Sequence, residues 1–172
     1  MSYWTFSDVF EEQGVVKTPF YGGFGLIAAG RIPKASFNAF RLLHLLGEER
    51  IDLDDASALA TRRADGALVV AAWNYAPAGQ TGEPRKVRLV FKGVTGKHWL
   101  RIYRLDADRG SPLKVWRLMG QPTFPTRQQQ AELREAARLP SPEELGLPPG
   151  DEPGIILELP SHGLAVVEVL GE

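Results

Sequence analysis

The stretch Tyr3-Trp4-Thr5-Phe6-Ser7-Asp8-Val9-Phe10-Glu11-Glu12 holds the residue types in this chain best suited to chemistry. Two adjacent carboxylates, Glu11 and Glu12, follow a short apolar and aromatic run. Paired carboxyl groups are the acid/base machinery of glycoside hydrolysis, where they stand about 5–5.5 Å apart in retaining enzymes. Sequence neighbours rarely meet that geometry, because adjacent side chains point to opposite sides of an extended segment. Accepting hydrogen bonds from sugar hydroxyls suits one or both glutamates better, and a solvated acidic loop is the plain alternative. Trp4 either supplies an apolar wall for a sugar ring or is an ordinary core aromatic.

Other candidates are dispersed. His44, His98 and His162 have no paired metal-ligand spacing and read as structural or surface residues. Gly22-Gly23-Phe24-Gly25 has the glycines of a phosphate loop but no Walker lysine and no strand-turn-helix setting. Trp73, Tyr75, Trp99, Tyr103 and Trp116 either form a carbohydrate-stacking platform or pack inside the fold. Arg127-Gln128-Gln129-Gln130 reads as a solvated helix face. The chain contains no cysteine, which excludes disulfides, thiolate metal sites and cysteine catalysis. No metal or other cofactor is expected.

The elements that must position these residues are legible from hydrophobic periodicity. Residues 1–6 suit a strand buried on both faces, and 7–30 read as a glycine-bearing loop. Pro33 opens a helix to about Leu46, with Gly47 placed to end it. That helix is apolar over most of its circumference, leaving only Lys34, Asn38 and Arg41 as a stripe for water. Strands follow near 58–63, 67–75, 85–92, 99–105, 113–117, 155–159 and 163–169. Val87, Leu89 and Phe91 alternate with Lys86, Arg88 and Lys92, the period-2 pattern of a half-buried strand. One surface helix runs from Arg127 to about Arg138, opened by a capping box of Thr126 and Gln129. Pro140 to Gly154 is a proline-rich connector. The fold class is therefore mainly β, an antiparallel sandwich preceded by a strand–loop–helix piece, dividing near residue 50.

Bulk properties narrow the function. At 172 residues the chain is too short for a whole (β/α)8 barrel, which needs roughly 200 residues or more. A net charge of −1, from 20 basic and 21 acidic residues, argues against nucleic acid and polybasic membrane binding. The opening Met1-Ser2-Tyr3-Trp4-Thr5 shows no signal peptide, and no apolar stretch reaches the 18 or so residues of a membrane span. A soluble cytoplasmic chain is the simplest expectation, provided Met1 is the natural start.

Several blocks in order carry a family resemblance. Trp4 to Glu12, then Pro19-Phe20-Tyr21-Gly22-Gly23-Phe24-Gly25-Leu26, Ile32-Pro33-Lys34 and Arg41-Leu42-Leu43-His44, resemble glycoside hydrolase family 39, which contains β-xylosidases and α-L-iduronidases. Val115-Trp116-Arg117-Leu118-Met119-Gly120 and the glutamine-rich helix resemble the later part of that family more loosely. Val15-Val16 departs from a proline-containing form of the loop.

The resemblance implies that residues 1–50 hold the eighth strand, loop and helix of a (β/α)8 barrel and that 51–172 form a C-terminal β-sandwich. It implies that Trp4, Glu11 and Glu12 belong to a glycone-binding subsite. The family's acid/base and nucleophile are glutamates after the fourth and seventh strands, which would precede Met1, so no catalytic residue is assigned here. The implied ligand is a xylose-type sugar or xylo-oligosaccharide, with the chain inactive in hydrolysis by itself. An eighth strand parted from its neighbours leaves backbone groups and an apolar helix uncovered, so a homo-oligomer, or pairing with a missing barrel portion, is expected.

Overall fold

The structure is a computed structural model and describes residues 3–9, 14, 16, 18–77, 79–94, 96–148, 150 and 152–171. In chain order its elements are β1 (Ile27–Ala28), β2 (Ile32–Pro33), α1 (Ala35–Leu43), β3 (Glu49–Ile51), β4 (Ala58–Arg62), β5 (Leu68–Trp73), β6 (Arg85–Val90), β7 (His98–Leu105), α2 (Leu113–Leu118), α3 (Arg127–Ala136), β8 (Glu143–Gly146), β9 (Gly154–Leu159) and β10 (Leu164–Gly171). The chain is mainly β, and it divides into two compact units. Met1–Phe40 with Ala107–Leu139 makes the first, and Arg41–Asp106 with Pro140–Glu172 the second.

The second unit is the β-sandwich. Six antiparallel strands pair in the order β3-β4-β5-β10-β7-β8, and β6 pairs antiparallel with β9 in a separate two-stranded sheet. Period-2 alternation sends Val70, Ala72, Leu100, Ile102, Ala165, Val167 and Val169 of the large sheet into one cluster with Val87, Leu157 and Leu159 of the small one. Each large aliphatic side chain buried this way contributes about 1.5–3 kcal/mol. The continuous run Val69-Val70-Ala71-Ala72 is buried throughout, so both faces of β5 are covered. The same holds for Ala165 to Val169 in β10, which occupies the middle of the sheet beside β5.

Both edges of the large sheet escape the periodicity. β3 and β8 consist of Glu49-Arg50-Ile51 and Glu143-Glu144-Leu145-Gly146, short charged segments without apolar alternation. Both are held by backbone pairing, β8 also by ion pairs of Arg101 to Glu144 and Arg104 to Glu143 at 2.8 Å, and β3 by Arg62 to Glu49 at 3.8 Å. Charge on an edge strand also discourages further strand addition. β8 lies inside the stretch expected to be a connector.

The first unit packs Ala28 and Ile32 of the β1–β2 hairpin against Trp116 and Leu133, with Phe20, Leu113, Val115 and Met119 around them. Residues 113–118 are helical, contrary to the strand expected at 113–117. The reason lies in their spacing: Leu113 and Trp116 face the cluster three residues apart, a helical interval too short to be told from a strand by pattern alone. α3 forms as expected, with Thr126 Oγ1 accepting from Gln129 N–H while the Gln129 side chain accepts from Thr126 N–H. Leu133 is its fully buried anchor.

Three expectations for the opening of the chain need correction. Residues 3–9 form no regular strand; Ser7 makes one parallel bridge to Ile27, and Tyr3, Trp4 and Phe6 are exposed rather than buried on both faces. Among the described residues no further strand pairs with this segment, and its aromatic side chains stay largely exposed. The water-facing stripe on α1 is also misread. Asn38 has no exposure and donates from Nδ2 to Gly110 O at 2.8 Å and Ala137 O at 2.6 Å. Gly47 ends no helix by a left-handed turn. It passes so close to β4 that a Cβ there would stand 2.2 Å from Arg62 O, and its N–H donates to Thr61 Oγ1. Among the described residues no helix is long and apolar enough to cross a membrane.

The alternation in β9 gives a direct check on the sandwich. Leu157→Ala should lower unfolding free energy in denaturant titration by about 2–5 kcal/mol. Its neighbour Ile156, 64% exposed, should tolerate alanine to within about 0.5 kcal/mol.

Candidate functional site

In the first unit, residues 3–8 run alongside Leu26 and Ile27, with bends at Trp4, Phe6 and Asp8. Ile27 N–H donates to Phe6 O at 3.0 Å, and Asp8 N–H donates to Ile27 O at 2.8 Å. This pairing lays the opening segment beside the loop 20–26 and places their aromatic residues together. Trp4, 66% exposed, rests on Phe24 with ring centroids 5.4 Å apart and a 32° tilt. Tyr3 donates its hydroxyl to Phe24 O at 2.7 Å and meets Phe40 edge-on at 5.2 Å. Phe6 approaches Phe37 edge-on at 6.4 Å. The Trp4–Thr5 peptide bond is cis.

The same segment and loop carry a buried charge pair. Asp8 is fully buried; its Oδ1 accepts from Lys34 Nζ and from Gly25 N–H, each at 2.8 Å, and its Oδ2 meets the same ammonium at 2.6 Å. Lys34 donates also to Gly23 O at 2.6 Å. Close backbone approach makes this possible. A Cβ on Gly25 would stand 2.3 Å from Asp8 N, and one on Gly23 would stand 2.7 Å from Asp8 Oδ1. The glycine run that loosely suggests a phosphate loop thus wraps a carboxylate, and its lysine neutralises that carboxylate.

Of the three residues expected to hold a sugar, Trp4 is presented at the surface, where an indole face can meet a ligand. Glu11 and Glu12 lie outside the described residues. Asp8 and Lys34 carry no sequence signal of their roles: Asp8 is one polar residue in a mixed stretch, and Lys34 sits at a position that helical patterning assigns to water.

The remaining candidates separate. Trp116 is a core residue, its indole N–H donating to Pro122 O at 3.2 Å and its ring set edge-on to Phe20 at 5.2 Å. In the second unit Tyr75 and Trp99 are exposed, by 77% and 53%, while Trp73 and Tyr103 are half-buried. His44 and His162 are exposed and His98 half-buried. Among the described residues no group of three or more His, Cys, Asp and Glu could hold a metal ion.

The second unit also buries a carboxylate. Glu168 Oε1 accepts from Arg63 Nη1 at 2.6 Å, and Oε2 accepts from the Tyr103 hydroxyl at 2.9 Å. Burial, then the hydrogen bond and negative charge of Glu168, push the Tyr103 phenol above the ordinary tyrosine value. A raised folded-state pKa contributes stability that is complete below the unfolded value, about 10, and is lost as pH rises toward the folded one. The Tyr103 phenolate, isolated by subtracting the alkaline absorbance titration of Tyr103→Phe, should therefore form above the ordinary tyrosine range. Glu168→Gln should bring it down.

Comparison with known proteins places this geometry in a family. The model of glycosyl hydrolases family 39 matches residues 1–144. A β-xylosidase of Geobacillus stearothermophilus is 40% identical over 127 residues, 74% of this chain and 25% of that protein. A β-xylosidase of Caldicellulosiruptor saccharolyticus is 35% identical over 144 residues, 80% of this chain and 29% of that protein. Among solved structures, a monomeric β-xylosidase from Caulobacter crescentus CB15 superimposes with a TM-score of 0.81 at 28% identity, covering 99% of this chain and 37% of that one. The chain thus spans between a quarter and two fifths of the length of these relatives.

Proposed function

The chain belongs to glycosyl hydrolases family 39, and from that premise we propose that it is the C-terminal portion of a β-xylosidase-type enzyme, supplying sugar contacts and a supporting sandwich. The observation that carries this reading is the Trp4–Phe24 pair. An indole held against a second ring, yet 66% exposed, offers a preformed apolar face to the C–H side of a pyranose. Such a face contributes contact area at little cost in side-chain entropy. Glu11 and Glu12 complete the subsite by accepting hydrogen bonds from sugar hydroxyls, which charged acceptors make strongly.

Cleavage is assigned elsewhere. Retaining hydrolysis needs an acid/base and a nucleophile on opposite sides of the scissile bond, with carboxyl groups about 5–5.5 Å apart. In the proposed parent enzyme both glutamates come from a portion of the protein beyond these 172 residues. The 172-residue chain alone should show no turnover of aryl β-xylosides, and calorimetry should show xylo-oligosaccharide binding that is lost in Trp4→Ala, Glu11→Ala and Glu12→Ala. Turnover that survives purification and vanishes on Glu11→Ala or Glu12→Ala would overturn the assignment.

Exposure of Trp99 and Tyr75 on the sandwich favours one second reading, a free-standing carbohydrate-binding module. Binding abolished by Trp99→Ala or Trp73→Ala, and retained by Trp4→Ala, would select it.

The exposure of Tyr3, Trp4 and Phe6 also supports a state of the working protein in which they are buried, reached by self-association or by docking the barrel portion. Light scattering of the 172-residue chain should give a dimer or larger species. A clean monomer whose first 47 residues are fully ordered would refute self-association.

A further inference from the structure

Phe24, the ring on which Trp4 rests, is flanked in sequence by the two residues that engage the buried ion pair. On one side Gly23 O accepts from Lys34 Nζ at 2.6 Å; on the other Gly25 N–H donates to Asp8 Oδ1 at 2.8 Å. Phe24's own carbonyl takes the Tyr3 hydroxyl at 2.7 Å. The backbone of Phe24 is therefore tied at three consecutive residues, twice to the ion pair and once to the residue next to Trp4.

Asp8 is tied at its other end as well. Its N–H is bonded to Ile27 O at 2.8 Å, so the residue that anchors the glycine loop also fixes the end of the segment bearing Trp4. It has no exposed surface, so a ligand stacked on Trp4 does not touch it. There is no slack around it: Gly23 and Gly25 approach too closely for a Cβ on either.

We propose that Asp8 is a positioning residue for the sugar subsite, acting through Lys34 and the Gly25 N–H to hold Phe24 where it sets the tilt and depth of the Trp4 ring. Asp8 touches no sugar; it determines the surface that does. The inference rests on the sugar-site reading given above. The carboxylate length is part of the device, since a glutamate would have to place an extra methylene in a space already filled by two glycine backbones.

The test uses the 172-residue chain and xylotriose as the probe. Asp8→Asn keeps the shape and an acceptor for Gly25 N–H while removing the charge that orients Lys34. Calorimetry should show xylotriose affinity about tenfold weaker, the effect of losing one charge-assisted hydrogen bond from the support of the site. The Trp4 indole N–H resonance, identified by its absence in Trp4→Ala, should shift in the same variant without sugar present. An ion pair with a merely structural role would lower the melting temperature and leave both the affinity of the folded protein and the Trp4 resonance unchanged, and that result overturns the proposal. Should Asp8→Asn fail to fold, Lys34→Gln, which retains a donor, is read by the same two measurements with the same expected directions. Wild-type chain that does not bind xylotriose would refute the sugar-site reading itself. Wild-type binding that Trp4→Ala abolishes, with Asp8→Asn unaffected, would refute only the positioning role.

Discussion

A carboxylate with no access to water must be met on every side by donors and counter-charge, and in the first unit that requirement organises everything around Asp8. Desolvating an ion costs several kcal/mol, and removing one partner of a buried pair costs about 3–5 kcal/mol. The cost is offset here by an ammonium within 2.8 Å of both carboxylate oxygens and by a backbone N–H on one of them. Meeting those terms brings three separate pieces of chain together: the opening segment 3–8, the glycine loop before β1, and Lys34 just before α1. Glycine fits at 25 because the Ser7–Asp8 backbone stands where a Cβ would go, and at 23 because the Asp8 carboxylate and the Tyr21 ring stand there. The aromatic pair is a consequence of that convergence.

The second unit is governed by a different constraint, the burial of β5 and β10 on both faces. A strand covered on both sides has no room for polar side chains unless they find partners, and Glu168 on β10 shows what partnership requires. Arg63 takes one oxygen and Tyr103 the other, so the carboxylate is satisfied within the sheet. Outward from these central strands the demand relaxes, until the edges β3 and β8 are mostly charged and held by cross-strand ion pairs. Such exposed pairs contribute little stability individually; their main effect is on register and on keeping the edges from recruiting other strands.

How much of this was legible in the sequence follows from which interactions are local. The period-2 strands of the sandwich were readable because each residue's environment repeats every second position, and the α3 capping box because its partners are three residues apart. The helix at 113–118 was not, since six residues give too few repeats to separate a period of two from one of 3.6. The edge strands carry no apolar signal at all. Asn38 and Lys34 read as solvent-facing because helical patterning knows only hydrophobicity. Their partners, Gly110, Ala137, Asp8 and Gly23, are 72, 99, 26 and 11 residues away, and no local window contains them. Trp4, which the sequence leaves open between a sugar-facing wall and a core aromatic, is 66% exposed, although the segment carrying it reads as a buried strand.

The same distinction between local and distant interactions bears on how a glycosidase can divide its work along the chain. Stacking a sugar requires a held aromatic face, and residues 3–34 supply a connected set of groups behind Trp4: the Phe24 ring against it, the ion pair that pins Phe24, and the Ile27 carbonyl that fixes Asp8. Cutting a sugar requires two carboxyl groups about 5–5.5 Å apart across one bond, a relation that neighbours such as Glu11 and Glu12 cannot satisfy by sequence adjacency. Gripping is thus a property one contiguous stretch can encode, while cleavage by this route needs residues brought together from separate strands. On the proposed reading, the sugar platform is held through contacts separate from the cutting groups, among them the Asp8–Lys34 ion pair and the Trp4–Phe24 ring contact.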